Sequence, residues 1–85
     1  MNINEFKNKI LYRATHRGNK EMDLLLGNFV KQIIKNVDKK SLILLEKLVN
    51  FDDEMLLKIN ENKVSIGMHE NNKIIELFKN YKLKK

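Results

Sequence analysis

The chain has 85 residues, neither Cys nor Pro, and a formal net charge of +6 from 17 basic and 11 acidic residues. A chain of this length forms one small domain, here residues 1–85, and buries only about 60% of the surface of its unfolded chain. The absence of Cys excludes disulfides, thiolate catalysis and Cys-based zinc sites. A deep pocket for both a substrate and a cofactor would take up much of such a core, so we do not expect a self-contained enzyme.

The positive charge favours acidic partners, such as nucleic acid, an anionic membrane or an acidic protein surface. All but two of the 17 basic residues are Lys, spread along the chain, and we expect most of them to lie on solvated helix faces. No apolar run approaches the roughly 18 residues of a membrane-spanning helix, and the first residues do not resemble a signal peptide. We therefore expect no membrane insertion and a bacterial cytoplasmic location, with a mature mitochondrial matrix protein as the alternative.

The first two helices are predicted from the spacing of apolar residues. The first runs from about Glu5 to His16 with Asn4 as its N-cap, and Gly18 follows where a left-handed residue often ends a helix. The second, from about Lys20 to Val37, has the most regular apolar pattern and should be central to the fold. Gly27 within it costs about 1 kcal/mol relative to Ala, which indicates a close crossing by another helix. The apolar positions of the second helix are Met22, Leu25, Leu26, Phe29, Val30, Ile33, Ile34 and Val37.

Two shorter helices follow, each preceded by an Asp. Asp38 is predicted to cap a third helix that ends near Asn50. Asp52 is predicted to cap a short fourth helix, where Asp53 and Glu54 would interact favourably with the positive end of the helix dipole.

After a polar loop from Asn60 to Lys63, a fifth helix is predicted from near His69 to Tyr81, and residues 82–85 should form a frayed basic tail. No stretch alternates as a strand would. The sequence therefore predicts an all-α fold, a compact five-helix bundle in a single domain.

Few residues could carry chemistry. His16 and His69 are the only histidines, and no HExxH motif or His/Asp/Glu cluster has the spacing of metal ligands. Ser41 and Ser65 lie in no nucleophile motif. We predict neither catalytic residues nor a metal site, and we expect His16 to close the first helix, where the dipole favours a cation.

A polar turn between the first two helices contains an Arg, a Gly, a Lys and a Glu within five positions. Arg13 and Arg17 are the only arginines, and at a spacing of four they would project from the same helix face. Arg17, Gly18 and Glu21 form an Arg-Gly-x-x-Glu turn. Each has a structural explanation. Gly18 can adopt positive φ, and Arg17 can pair with Glu21 or Asp23. Glu21, in the first turn of the next helix, can interact favourably with the helix dipole and bond back to a free amide. The residues alone favour this structural role over a binding site.

The segment from His16 to Phe29, HRGNKEMDLLLGNF, joins this turn to the apolar second helix. It resembles the signature of the succinate dehydrogenase flavinylation factors, a family called SdhE in bacteria and succinate dehydrogenase assembly factor 2 in mitochondria. The hallmark is the RGxxE motif, present as Arg17-Gly18-Asn19-Lys20-Glu21. The similarity extends beyond the motif, because an Arg-bearing helix precedes it and Phe51-Asp52-Asp53 stands where the family has an acidic pair that opens a short helix. The length of the chain also matches that of the family almost end to end, although the segment after the short helix is only loosely similar. Family members often carry a Trp in that helix, where this chain has Ile59.

The resemblance implies a five-helix assembly factor, a chaperone rather than an enzyme, that binds the flavoprotein subunit of succinate dehydrogenase or fumarate reductase and promotes covalent attachment of FAD. The protein would act as a monomer and have no cofactor of its own, because the FAD belongs to the partner flavoprotein. The implied contact surface consists of Arg17, Gly18 and Glu21, surrounded by a polar ring of Arg13, His16, Lys20 and Asp23.

Two alternatives use other features of the chain. The net charge and the Lys-rich tail would suit a small basic helical module that binds nucleic acid, although the basic residues are dispersed and no recognition helix stands out. A peripheral membrane helix is less favoured, because the best apolar stripe is better used as core.

Overall fold

The computed structural model describes residues 2–61 and 73–82, which contain helices and no strand. The helices are α1 (Ile3–Thr15), α2 (Lys20–Ile33), α3 (Lys39–Val49), α4 (Asp53–Asn60) and α5 (Lys73–Asn80). The all-α prediction is confirmed. The predicted start of the fifth helix near His69 lies outside the described residues, as does Ser65.

Side-chain caps fix where the first four helices begin. The predicted caps Asp38 and Asp52 are confirmed, and each accepts a hydrogen bond of 2.8 Å from the N–H three residues later. The prediction of Asn4 is wrong, because Asn2 has the extended backbone of a cap and accepts from the N–H of Glu5. Hydrogen bonds from the hydroxyl and the N–H of Ser41 hold the pKa of Asp38 below its usual range.

The second helix is shorter than its apolar pattern. It ends at Ile33 rather than Val37, and a tight turn follows in which the N–H of Asn36 donates to the carbonyl of Ile33 at 3.0 Å. The turn still directs the side chains of Ile34 and Val37 against the core. The apolar pattern therefore continues beyond the helix, because a side chain can point into the core from a turn as well as from a helix.

The core joins α2 to α5 and α4 to α5. Phe29 packs against Phe78 and Tyr81 with ring centroids 5.1 and 5.4 Å apart. Asn60, predicted to open a loop, is instead the buried last residue of α4, and its amide donates to the carbonyls of Phe78 (2.9 Å) and Tyr81 (2.8 Å). Ile59 is also buried in this core. The C-terminal ends of α4 and α5 are thus held together by both apolar packing and a satisfied buried amide.

The close crossing predicted at Gly27 is confirmed. A Cβ atom added there would lie 2.9 Å from Cγ2 of Thr15 at the end of α1. Thr15 is held in place because its hydroxyl donates to the carbonyl of Leu11 at 2.9 Å. Gly27 therefore allows α1 and α2 to approach at the point where the chain turns between them.

We expect Gly27→Ala to lower the free energy of unfolding by about 1 kcal/mol, because overpacking against Thr15 exceeds the gain in helix propensity. In a Thr15→Ser background, which keeps the hydroxyl and removes the methyl group, the same change should raise it by about 1 kcal/mol. Urea unfolding of the four proteins of this double-mutant cycle measures both effects. An equal effect of Gly27→Ala in the two backgrounds would contradict this account.

Candidate functional site

The polar turn between α1 and α2 is a fixed corner. His16 is the C-cap of α1 and Asn19 the N-cap of α2, so only four residues, 16–19, connect the two helices. Gly18 has φ +81°, as predicted, and a Cβ atom there would meet nothing within 4 Å. The N–H of Arg17 donates to Oδ1 of Asp23 at 2.7 Å. The backbone of the corner is thus held by side chains of α2, while Gly18 faces outward.

The side chain of Arg17 turns inward and is only 12% exposed. Its Nε donates to Oδ1 of Asp53 at 2.5 Å, Nη1 to the carbonyl of Val49 at 2.7 Å and Nη2 to the carbonyl of Phe51 at 2.5 Å. These carbonyls lie at the end of α3, where backbone acceptors lack a partner within the helix. Arg17 thereby ties the α1–α2 corner to the junction of α3 and α4 with charge-assisted bonds.

The predicted side-chain partner of Arg17, either Glu21 or Asp23, is wrong. The guanidinium contacts Asp53, not Glu21 or Asp23. Arg17 also does not share a helix face with Arg13, because α1 ends at Thr15 and the backbone of His16 leaves the helical region. Both arginines nevertheless reach the same junction, since Nη1 of Arg13 donates to Oδ1 of Asn50 at 2.8 Å.

The two acidic residues at the start of α4 have different roles. Asp52 caps the helix through the N–H of Met55, whereas Asp53 accepts the bond from Arg17. Sequence reasoning placed Asp53 in the first turn of α4 and missed this contact. The available signal was the second acid of the pair, but its partner lies 36 residues away, beyond the reach of any local pattern.

Glu21 and Lys20 are exposed on the first turn of α2. The predicted position of Glu21 in the first turn of α2 is confirmed. The bond from its carboxylate back to a free amide is not seen among the described residues, because Glu21 is the second helical residue and Asn19, the cap, itself accepts from the third, Met22. Among the described residues, no hydrogen bond or ion pair involves the Glu21 carboxylate. Gly18 and Glu21 are therefore both exposed, and the Glu21 carboxylate has no bonding partner among the described residues.

The rest of the predicted polar ring is split. Arg13 and His16 face an open depression of about 450 Å³ beside the corner, together with Asn50. The His16 ring stacks on Tyr12 with centroids 4.1 Å apart. Tyr12 is 63% exposed, and sequence reasoning did not single it out. Asp23 is half-buried and serves the backbone of the corner.

The described residues bring together hydrogen-bonding and charged groups rather than a catalytic constellation. Within 2–61 and 73–82, no three His, Cys, Asp or Glu side chains are grouped as metal ligands would be. None of the helices over the same residues is long and apolar enough to span a membrane. What the corner presents at its surface are the exposed polar side chains of Arg13, His16, Lys20 and Glu21.

We expect Arg17→Lys to lower the free energy of unfolding by about 2 kcal/mol, because a single ammonium cannot serve three acceptors arranged for a planar fork. Arg13→Lys is the matched control, since Arg13 is exposed and makes one such bond. Its effect should stay within about 0.5 kcal/mol. Equal destabilisation of the two variants in urea unfolding would show that the inward network contributes no more than an exposed hydrogen bond.

Comparison with known proteins agrees with the resemblance carried by the corner. The model of a protein family described as flavinator of succinate dehydrogenase matches residues 8–82. The mitochondrial succinate dehydrogenase assembly factor 2 of Arabidopsis thaliana is 30% identical over an aligned length of 74 residues, and the alignment covers 74% of this chain and 39% of the plant protein. The chain thus spans less than half the length of this curated relative. No solved structure matches. The extent of the family match establishes that the chain belongs to the family of succinate dehydrogenase flavinators, which are assembly factors of that enzyme.

Proposed function

We propose that this protein binds the flavoprotein subunit of succinate dehydrogenase or fumarate reductase and promotes the covalent attachment of FAD to it. The observation that supports this most directly is the division of the RGxxE motif in space. Arg17 is committed to internal bonds, whereas Gly18 and Glu21 stand on the surface of the corner that Arg17 fixes. The family match supports a partner from succinate dehydrogenase, because the family description and the plant relative both name that enzyme.

The chemical role follows from what the site contains. Bond formation requires a flavin and an acceptor side chain, and we assign both to the partner. This protein has polar groups that can hold a partner segment in one geometry. Holding two reacting groups close together lowers the reaction barrier by several kcal/mol, because the entropy that they would lose on meeting is already lost when the partner is bound. A small assembly factor can therefore accelerate the attachment without being an enzyme or holding a cofactor.

The residues of the corner would contribute differently. The open space above Gly18 lets a partner backbone approach closely. The carboxylate of Glu21 can accept from an Arg, a Lys or an amide of the partner. Arg17 would act as a positioning residue, since its guanidinium is directed into this protein. Arg13, His16 and Lys20 can add contacts at the edge of the corner. Neither the family match nor the plant relative supports nucleic acid as the partner.

We expect Gly18→Arg to abolish support of flavin attachment while the protein stays folded, because its long side chain would block the approach to the corner. Gly18→Ala is the control, since it introduces the same Cβ at φ +81° without the bulk. Covalent flavin on the purified flavoprotein subunit, measured by in-gel fluorescence with and without each variant, tests this. Equal flavin attachment with Gly18→Arg and the unchanged protein would contradict the proposal.

We expect Glu21→Gln to weaken binding to the flavoprotein by about tenfold, because a charge-assisted bond becomes a neutral one. Its free energy of unfolding should change by less than about 0.5 kcal/mol, since an exposed side chain is altered. Glu5→Gln removes a comparable exposed carboxylate from the first turn of α1 and should leave binding unchanged. Calorimetric titration and urea unfolding separate the two effects; a large loss of stability with unchanged affinity would assign Glu21 to the fold alone.

A further inference from the structure

A groove between α2 and α4 begins at the corner and has no described occupant. It encloses about 510 Å³, and its apolar lining includes Leu24, Leu25 and Leu57. Leu24 is 53% exposed and Leu57 is 44% exposed. These two leucines are among the most exposed large apolar residues of the described chain, and they lie on different helices facing one groove. Their burial by a partner would be favourable.

The charged residues that line the groove are all acidic. Glu21, Asp53 and Glu54 lie along it, in a protein whose formal net charge is +6. Asp53 is used by Arg17, whereas Glu54 has only an exposed pair with Lys58 at 3.2 Å, of the kind that contributes little. Glu21 has no ion pair among the described residues. The groove therefore selects for positive charge next to an apolar side chain, against the overall sign of the protein.

The groove is continuous with the corner through Glu21, which belongs to both. A partner segment that contacts Gly18 and Glu21 can extend along α2 toward Leu24 and Leu57 without crossing a gap. The wall formed by α4 is fixed at its start by the bond between Arg17 and Asp53. A preformed groove of this kind lowers the entropic cost of binding a segment.

We propose that this groove docks an amphipathic segment of the flavoprotein client, with an aliphatic side chain between Leu24 and Leu57 and a Lys or Arg beside Glu21 and Glu54. This inference rests on the proposed function, because the client is the partner named there. It adds a second contact region outside the RGxxE motif and states the chemistry of the segment that fills it.

The first test replaces the two leucines. Leu24→Gln and Leu57→Gln keep good helix formers and should each weaken binding to the purified flavoprotein subunit by about tenfold. Ile43→Gln is the matched control, since Ile43 is 45% exposed on α3, away from the groove. Its affinity should equal that of the unchanged protein. Circular dichroism of all three variants confirms that they fold.

The second test reverses charge. Glu54→Lys should weaken the same binding by about tenfold and make it less sensitive to salt, because an attractive pair is lost. Glu5→Lys is the control, since both glutamates lie in the first turn of a helix and lose the same dipole interaction. Its affinity should not fall.

The outcomes separate the two proposals. If the unchanged protein neither binds the flavoprotein nor raises its covalent flavin, the proposed function fails. If the unchanged protein binds and the groove variants bind as tightly as their controls, the groove proposal alone is overturned. It is also overturned if light scattering shows a dimer of the unchanged protein that Leu24→Gln converts to a monomer, because a second copy then covers the groove.

Discussion

The arrangement of the site depends on the inward guanidinium of Arg17. It joins three segments that are distant in sequence: the α1–α2 corner, the last turn of α3 and the first turn of α4. The network is mostly shielded from water, and each acceptor would otherwise be left without a strong donor. Because the same Asp53 also lines the groove, one set of bonds fixes both the corner and the position of α4 beside it. A change that loosens Arg17 therefore alters the surface without touching any exposed residue.

This arrangement suits the size of the protein. A domain of 85 residues has a small core, so groups able to contact another molecule lie on its surface rather than in an enclosed cavity. Surface side chains and turns are mobile unless something holds them. Here Asp23 holds the backbone of Arg17, and Asn19 caps the helix that carries Glu21. The conformational entropy of the corner is thus lost during folding, so less entropy would be lost when a partner binds there.

The features that depend on neighbouring residues could be predicted from the sequence. Apolar spacing, the caps Asp38 and Asp52, the positive φ of Gly18 and the close crossing at Gly27 each express a local rule. The contact between Arg17 and Asp53 could not be predicted, because it is decided by how α3 and α4 return to the corner. The end of α2 at Ile33 could not be predicted either. Ile34 stays buried in the turn that follows, so the apolar pattern does not change where the helix ends.

The RGxxE motif combines two kinds of constraint that sequence alone does not separate. Arg17 is needed for the fold of the corner, and its removal would leave carbonyls of Val49 and Phe51 and the Asp53 carboxylate without their donor. Gly18 is required by its backbone conformation and also leaves open space, whereas Glu21 has no described internal partner. Within five positions, the motif thus contains a mostly buried side chain at Arg17, a left-handed backbone at Gly18 and an exposed side chain at Glu21. Glu21 has an exposed carboxylate, and what the fold itself provides for it is a place in the first turn of α2, where the helix dipole favours an acidic side chain.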